Sequence, residues 1–207
     1  LKINNLAGGR TYYFGVAAVD KWGEFQNSLN PVSCMPFDTI PPGNVNNLKV
    51  ISYKTGLRFE WEKPDSEFED IAGYNIYIDD EKYSVDSSKR FFEKYSLQPE
   101  SEYSAKITAY DSTQPPNENS GRSITGVTLL NNPSNLDAEA YSNYVLLKWD
   151  KSDSPYLKNY KVYYKDEDFQ STDAMTGLKT DNNQVKIPDL TNNTNYSFTV
   201  TTVNLTN

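Results

Sequence analysis

At 207 residues, with 37% apolar and 14% aromatic side chains, the chain is long enough for one large packed domain or a pair of small ones. Its formal charge of -8 disfavours nucleic acid and anionic membrane surfaces, which are bound through Lys and Arg. The sequence has no histidine, the commonest general base and transition-metal ligand, a single cysteine (Cys34), which rules out an intrachain disulfide, and no apolar run near the ~20 residues of a membrane helix.

Residues 1–36 read as the closing strands of a domain. Leu1-Lys-Ile3 alternates as a strand does, and after five turn-forming residues Tyr12 opens an alternating run that ends at Asp20. Lys21 to Glu24 makes a turn, and residues 28–35 read as a last strand interrupted by Pro31, either an edge strand or two short pieces. So few strands bury too little surface to stand alone, so the protein is expected to continue upstream. Residues 37–43 contain Pro41-Pro42 and form an extended, stiff linker.

Residues 44–130 read as one complete unit of seven strands. Val45 to Val50 is the first. Leu57, Phe59 and Trp61 alternate with Arg58, Glu60 and Glu62 in the second. After an acidic loop, residues 73–78 form the third strand, and Asp79-Asp80 turns tightly into the fourth at residues 82–85. Residues 90–95 supply the fifth, residues 103–111 the sixth, and residues 124–129 close the unit after a long polar loop.

Residues 133–207 repeat this order up to the sixth strand. Pro133 to Leu136 begins the unit, and Val145, Leu147 and Trp149 match Leu57, Phe59 and Trp61. Tyr160 to Tyr164 matches the third strand. Asp166-Glu167-Asp168 is read as its hairpin turn, and Val185 to Ile187 leads to Leu190.

A pattern ties the units together. Leu6, Leu97 and Leu190 each precede a Tyr by six positions, Tyr12, Tyr103 and Tyr196, separated by 91 and 93 residues. Each Tyr opens a run that ends eight residues later at Asp20, Asp111 or Asn204, where an acid or amide can start a turn by bonding nearby backbone. A Tyr so placed buries its ring and is expected to return its hydroxyl to a carbonyl of the preceding crossover, a tyrosine corner.

With Phe59-x-Trp61, Leu147-x-Trp149, Tyr74-x-Ile76-Tyr77 and Tyr160-x-Val162-Tyr163, this ordered set resembles the fibronectin type III family. The resemblance implies an all-β fold of tandem immunoglobulin-like Greek-key β-sandwiches. It divides the chain into the C-terminal part of a module (1–36), a Pro-rich linker (37–43), a complete module (44–130) and a module lacking its last strand (133–207). The linker and the approach to Tyr74 look like those of secreted or surface-anchored bacterial proteins. There is no Arg-Gly-Asp and no Trp-Ser-x-Trp-Ser, so integrin and cytokine binding have no support.

Tyr12, Trp61, Tyr74, Tyr103, Trp149, Tyr160 and Tyr196 are assigned to the core by their inward positions. Trp22 falls in the turn after a corner strand, where it would lie across a junction or stack on a sugar. The loop from Ser112 to Ser120, with Gln114, Asn117 and Asn119, is the best contact surface, because end loops vary without disturbing the core. Asp65, Glu67, Glu69 and Asp70 lack the spacing of a calcium loop and read as a solvated acidic stretch. Cys34 has no activating base and reads as a half-buried structural thiol. Asn192, Asn195 and Asn204 match the glycosylation acceptor pattern by chance.

No catalytic, cofactor or metal site is assigned. The reading is a non-catalytic spacer and interaction scaffold of a larger extracellular or cell-surface protein. Its partners are other domains of the same chain and a protein or glycan at the cell surface, with no nucleic acid and no membrane insertion. The rivals are accessory modules of a secreted polysaccharide-degrading enzyme, and an adhesin binding through end loops.

Overall fold

The computed structural model describes residues 1–6, 8–25, 28–65, 71–172 and 175–206, which form β-strands and loops with no helix among them. Residues 44–130 fold as two facing antiparallel sheets. One has the order β3 (Asn46–Tyr53), β4 (Gly56–Glu62), β7 (Phe91–Tyr95); the other β6 (Glu81–Asp86), β5 (Ile71–Ile78), β8 (Glu102–Asp111), β9 (Arg122–Val127). The alternation in β4 explains the layering. Leu57, Phe59 and Trp61 point into a core shared with Tyr74, Ile76 and Ile107 of the other sheet. Outside, Arg58 pairs with Glu60 at 2.6 Å and with Glu93 of β7 at 3.0 Å, while its guanidinium lies 3.9 Å from the centre of the Phe91 ring. The β5–β6 hairpin turns on Asp79 and Asp80, both at positive φ (44° and 73°), the backbone of a type I′ turn.

Residues 133–206 repeat the plan around a second core of Leu147, Trp149, Tyr160, Val162, Ile187 and Val200. One sheet has the order β10 (Asp137–Tyr141), β11 (Tyr144–Lys148), β14 (Gln184–Ile187); the other β13 (Leu178–Thr180), β12 (Leu157–Lys165), β15 (Ser197–Asn204). Among the described residues no strand lies beyond β15, the place that β9 takes beside β8. Residues 1–36 contribute β1 (Tyr12–Phe14) and β2 (Val32–Cys34), paired antiparallel, with a further bridge between Val19 and Phe25.

Four sequence expectations need correction. Leu1 and Ile3 are exposed and form no strand, because the described chain offers nothing for them to pair with. Within residues 28–35 only the three residues after Pro31 pair, since that ring has no N–H to give a ladder. Asp166-Glu167-Asp168 does not close a tight hairpin, because the strand that pairs with β12 begins only at Leu178. Cys34 is exposed, since the two-stranded sheet that carries it has no covering layer among the described residues.

Candidate functional site

The tyrosine corners organise the end of each module. Tyr103 and Tyr196 are half-buried, and their hydroxyls accept, from Gln98 N–H at 2.9 Å and Thr191 N–H at 3.2 Å. The bond therefore goes to an amide five residues upstream and not, as expected, to a carbonyl; a phenolic oxygen serves either role. Tyr12 is also half-buried, packed beside Phe14. Deeper in, Trp61 and Tyr74 meet edge to face with ring centres 5.4 Å apart, and Trp149 and Tyr160 do the same at 5.4 Å. All four rings are buried, so they are committed to packing.

Eight residues after each corner Tyr, a side chain starts a turn. Asp20 Oδ1 accepts from Trp22 N–H at 2.8 Å and Glu24 N–H at 3.0 Å. Asn204 Oδ1 accepts from Thr206 N–H at 3.2 Å. Asp111 does most. Only 1% exposed, it takes Thr113 N–H at 3.0 Å, Asn117 N–H at 2.8 Å and Asn117 Nδ2 at 2.8 Å. Burial pushes its carboxyl up, but the bonds from Thr113 and Asn117 outweigh this and hold its pKa below the ordinary carboxylate value.

Folded back by Asp111, the loop presents its amides to the linker. Asn117 Nδ2 donates to Asp38 O at 3.1 Å. Asn119 Nδ2 donates to Pro42 O at 3.1 Å and Gly43 O at 2.6 Å, while its Oδ1 accepts from Ala109 N–H at 3.2 Å and Gly121 N–H at 3.0 Å. Gly121 N–H also reaches Asn44 Oδ1 at 3.0 Å. Two of the three loop residues read as partner contacts thus hold the chain's own linker, and the third, Gln114, is exposed. Next to them Glu118 lies across the outer sheet face, accepting from Tyr77 Oη at 2.7 Å and from Thr108 Oγ1. Burial pushes its carboxyl up, but bonds from Thr108, Asn75 and Tyr77 and the charge of Lys82 outweigh this and hold its pKa below the ordinary carboxylate value.

Trp22 is 75% exposed, with Lys21 Nζ 4.1 Å from the centre of its ring. At the second junction a polar cleft of about 420 Å³ lies between residues 131–134 and 150–155. Its Asp150 carboxylate is already bonded by Ser134 Oγ at 2.9 Å and Asn135 Nδ2 at 2.7 Å. Among the described residues no three His, Cys, Asp or Glu side chains gather as metal ligands. Of the acidic stretch only Asp65 falls within the described residues, where it accepts from Asn46 Nδ2 at 3.0 Å; Glu67, Glu69 and Asp70 lie outside them. Asn204 is buried at 1% exposure, so a glycan has no room there.

The junction role of Asn117, Asn119 and Asn204 was missed by sequence reasoning. The signal available was an amide repeatedly placed within or at the start of the loop after a corner strand.

Residues 131–206 match the fibronectin type III domain family. No curated protein matches the chain. Among solved structures the chain is similar to domains d3–d4 of the rat CD45 extracellular region, at 14% identity and a TM-score of 0.46, with 62% of this chain and 68% of that one covered. It is also similar to a segment of two fibronectin type III domains from chicken tenascin, at 17% identity and a TM-score of 0.34, covering 78% of this chain and 91% of that one.

Proposed function

We propose, starting from a chain that carries a fibronectin type III domain at residues 131–206, that this segment is a non-catalytic spacer and scaffold within a larger extracellular multidomain protein. Domains of this family serve as structural and interaction modules. The observation that carries the reading is where the polar loop spends its donors. Asn117 and Asn119, the side chains best placed to greet a ligand, bind carbonyls 38, 42 and 43 of the same chain. Trp61, Tyr74, Trp149 and Tyr160, for their part, are used inside the two cores.

In this reading residues 1–36 are the last strands of one module, 37–43 a linker, 44–130 a whole module and 133–207 a module short of its last strand. Support for the first assignment comes from Val16. It is 93% exposed, whereas its counterparts four residues after the corner Tyr, Ile107 and Val200, are core residues. An apolar position that is buried twice and open once calls for the same cover, an upstream sheet carrying a Phe-x-Trp or Leu-x-Trp strand.

A second reading has one observation in its favour: the open indole of Trp22 suits an adhesin that stacks on a sugar or apolar surface. A glycan and protein array probed with the chain and with Trp22→Ala separates the two. The spacer reading expects no saturable ligand that depends on Trp22. A ligand lost on Trp22→Ala replaces it with the adhesin.

A further inference from the structure

The two junctions share a device. At the first, amides of Asn117 and Asn119 hold the carbonyls of Asp38, Pro42 and Gly43. At the second, Asn204 Nδ2 donates to Val127 O at 2.8 Å and Thr128 O at 3.4 Å, and Thr202 Oγ1 donates to Asn131 O at 3.2 Å. Val127 N–H in turn donates to Thr206 Oγ1 at 3.3 Å. That last bond apart, in both places the donors sit in a corner strand or in the loop after it, and the acceptors are main-chain oxygens of the segment arriving from upstream.

The chemistry of the two sides fits. Pro41 and Pro42 have carbonyls but no N–H, so whatever grips that stretch must bring donors. A carboxamide brings two N–H groups and one acceptor. In Asn119 the acceptor is used on its own module, through Ala109 and Gly121, and the donors are used on the linker. Asp111 and Asn204 occupy matching positions; the first builds the gripping loop through its carboxylate, and the second grips directly.

We infer that the loop following the corner strand is an orienting site whose ligand is the chain's own upstream segment, so that each module sets the direction of the one before it. This deepens the spacer reading and rests on it. A proline pair stiffens a segment but leaves its ends free to swivel; the amides remove the swivel.

The test uses the full chain and its one native cysteine. Cys34 is exposed and takes a spin label, and Lys54→Cys, in the exposed β3–β4 turn, takes a second. Electron–electron distance measurement should give one narrow distribution. Asn119→Asp keeps the acceptor for Ala109 and Gly121 and turns an oxygen on Pro42 and Gly43, so the distribution should broaden while hydrogen exchange in β8 stays protected. Asn44→Ala, which removes the acceptor for Gly121 from the residue that follows the linker, should broaden it from the other side. A distribution as narrow in both variants as in the native chain overturns the inference, and so does one already broad in the native chain. Either result leaves the array outcome, and with it the spacer reading, standing on its own.

Discussion

Tyr74 and Tyr160 occupy the same place in two modules, each edge-on to a Trp, yet only one has a use for its hydroxyl. Tyr160 Oη accepts from Ser152 N–H at 2.8 Å. Three residues beyond Trp149 stands Ser152; three beyond Trp61 stands Pro64, which has no N–H. Tyr74 Oη is accordingly without a partner among the described residues, and burial raises its pKa against the opposing charge of Arg90. Tyr160→Phe should therefore cost about 1 kcal/mol, one net hydrogen bond, whereas Tyr74→Phe should cost close to nothing. Hydrogen exchange read separately in the two cores checks the pair; equal losses would refute the assignment. Asp111 gives a second prediction at this scale. Its folded pKa is depressed, so its contribution is complete above the unfolded carboxylate value of about 3.9 and is lost as pH falls through the lower folded value. The amide resonances of Thr113 and Asn117 should hold still from neutral pH down to about pH 4 and move only in stronger acid. Movement near neutrality would place the carboxylate elsewhere.

Among the strands, β5 shows how closely the sequence is tailored to its neighbours. A Cβ added at Gly73 would lie 2.6 Å from Val85 O of β6 and 2.5 Å from Tyr110 Oη of β8. One of these is backbone and cannot swing away. Gly73→Ala should destabilise residues 44–130 by roughly 1–3 kcal/mol, the usual range for overpacking, as seen in chemical denaturation. The β5–β6 turn works the other way. Asp80 holds φ at 73°, a conformation that strains a side chain and suits glycine. Asp80→Gly should raise the denaturation midpoint, worth up to about 1 kcal/mol. The Asp-Asp pair was legible as a turn because it broke a strict alternation. The connection after Asp166-Glu167-Asp168 was misread, because acidic residues after a strand mark its end but carry no information about where the pairing partner resumes.

For the whole molecule, two cores are built from separate stretches of chain, and the join between them is polar. Asn204 reaches across it, bonded also to Ser52 Oγ at 3.4 Å. Asn204→Ala removes these donors from a buried position, at about 1–3 kcal/mol. Calorimetry should then show the unfolding of 44–130 and of 133–206 drawing apart, with the native chain showing the tighter coupling. Two equally separated transitions in both proteins would mean that the join transmits nothing.

What the sequence determined by itself is the architecture of each module. Period-two alternation puts Leu57, Phe59 and Trp61 on one face whatever else happens, and a recurring Tyr with an Asp or Asn eight residues on marks the corner strand, because both are local rules written in neighbouring residues. What only the tertiary structure decided is the use of the loops. Asn117 and Asn119 meet a linker more than 70 residues earlier in the chain, and no periodicity or spacing links an amide to a carbonyl that far away. Burial is a property of a pattern, whereas a hydrogen bond between distant segments is a property of where two backbones come to rest.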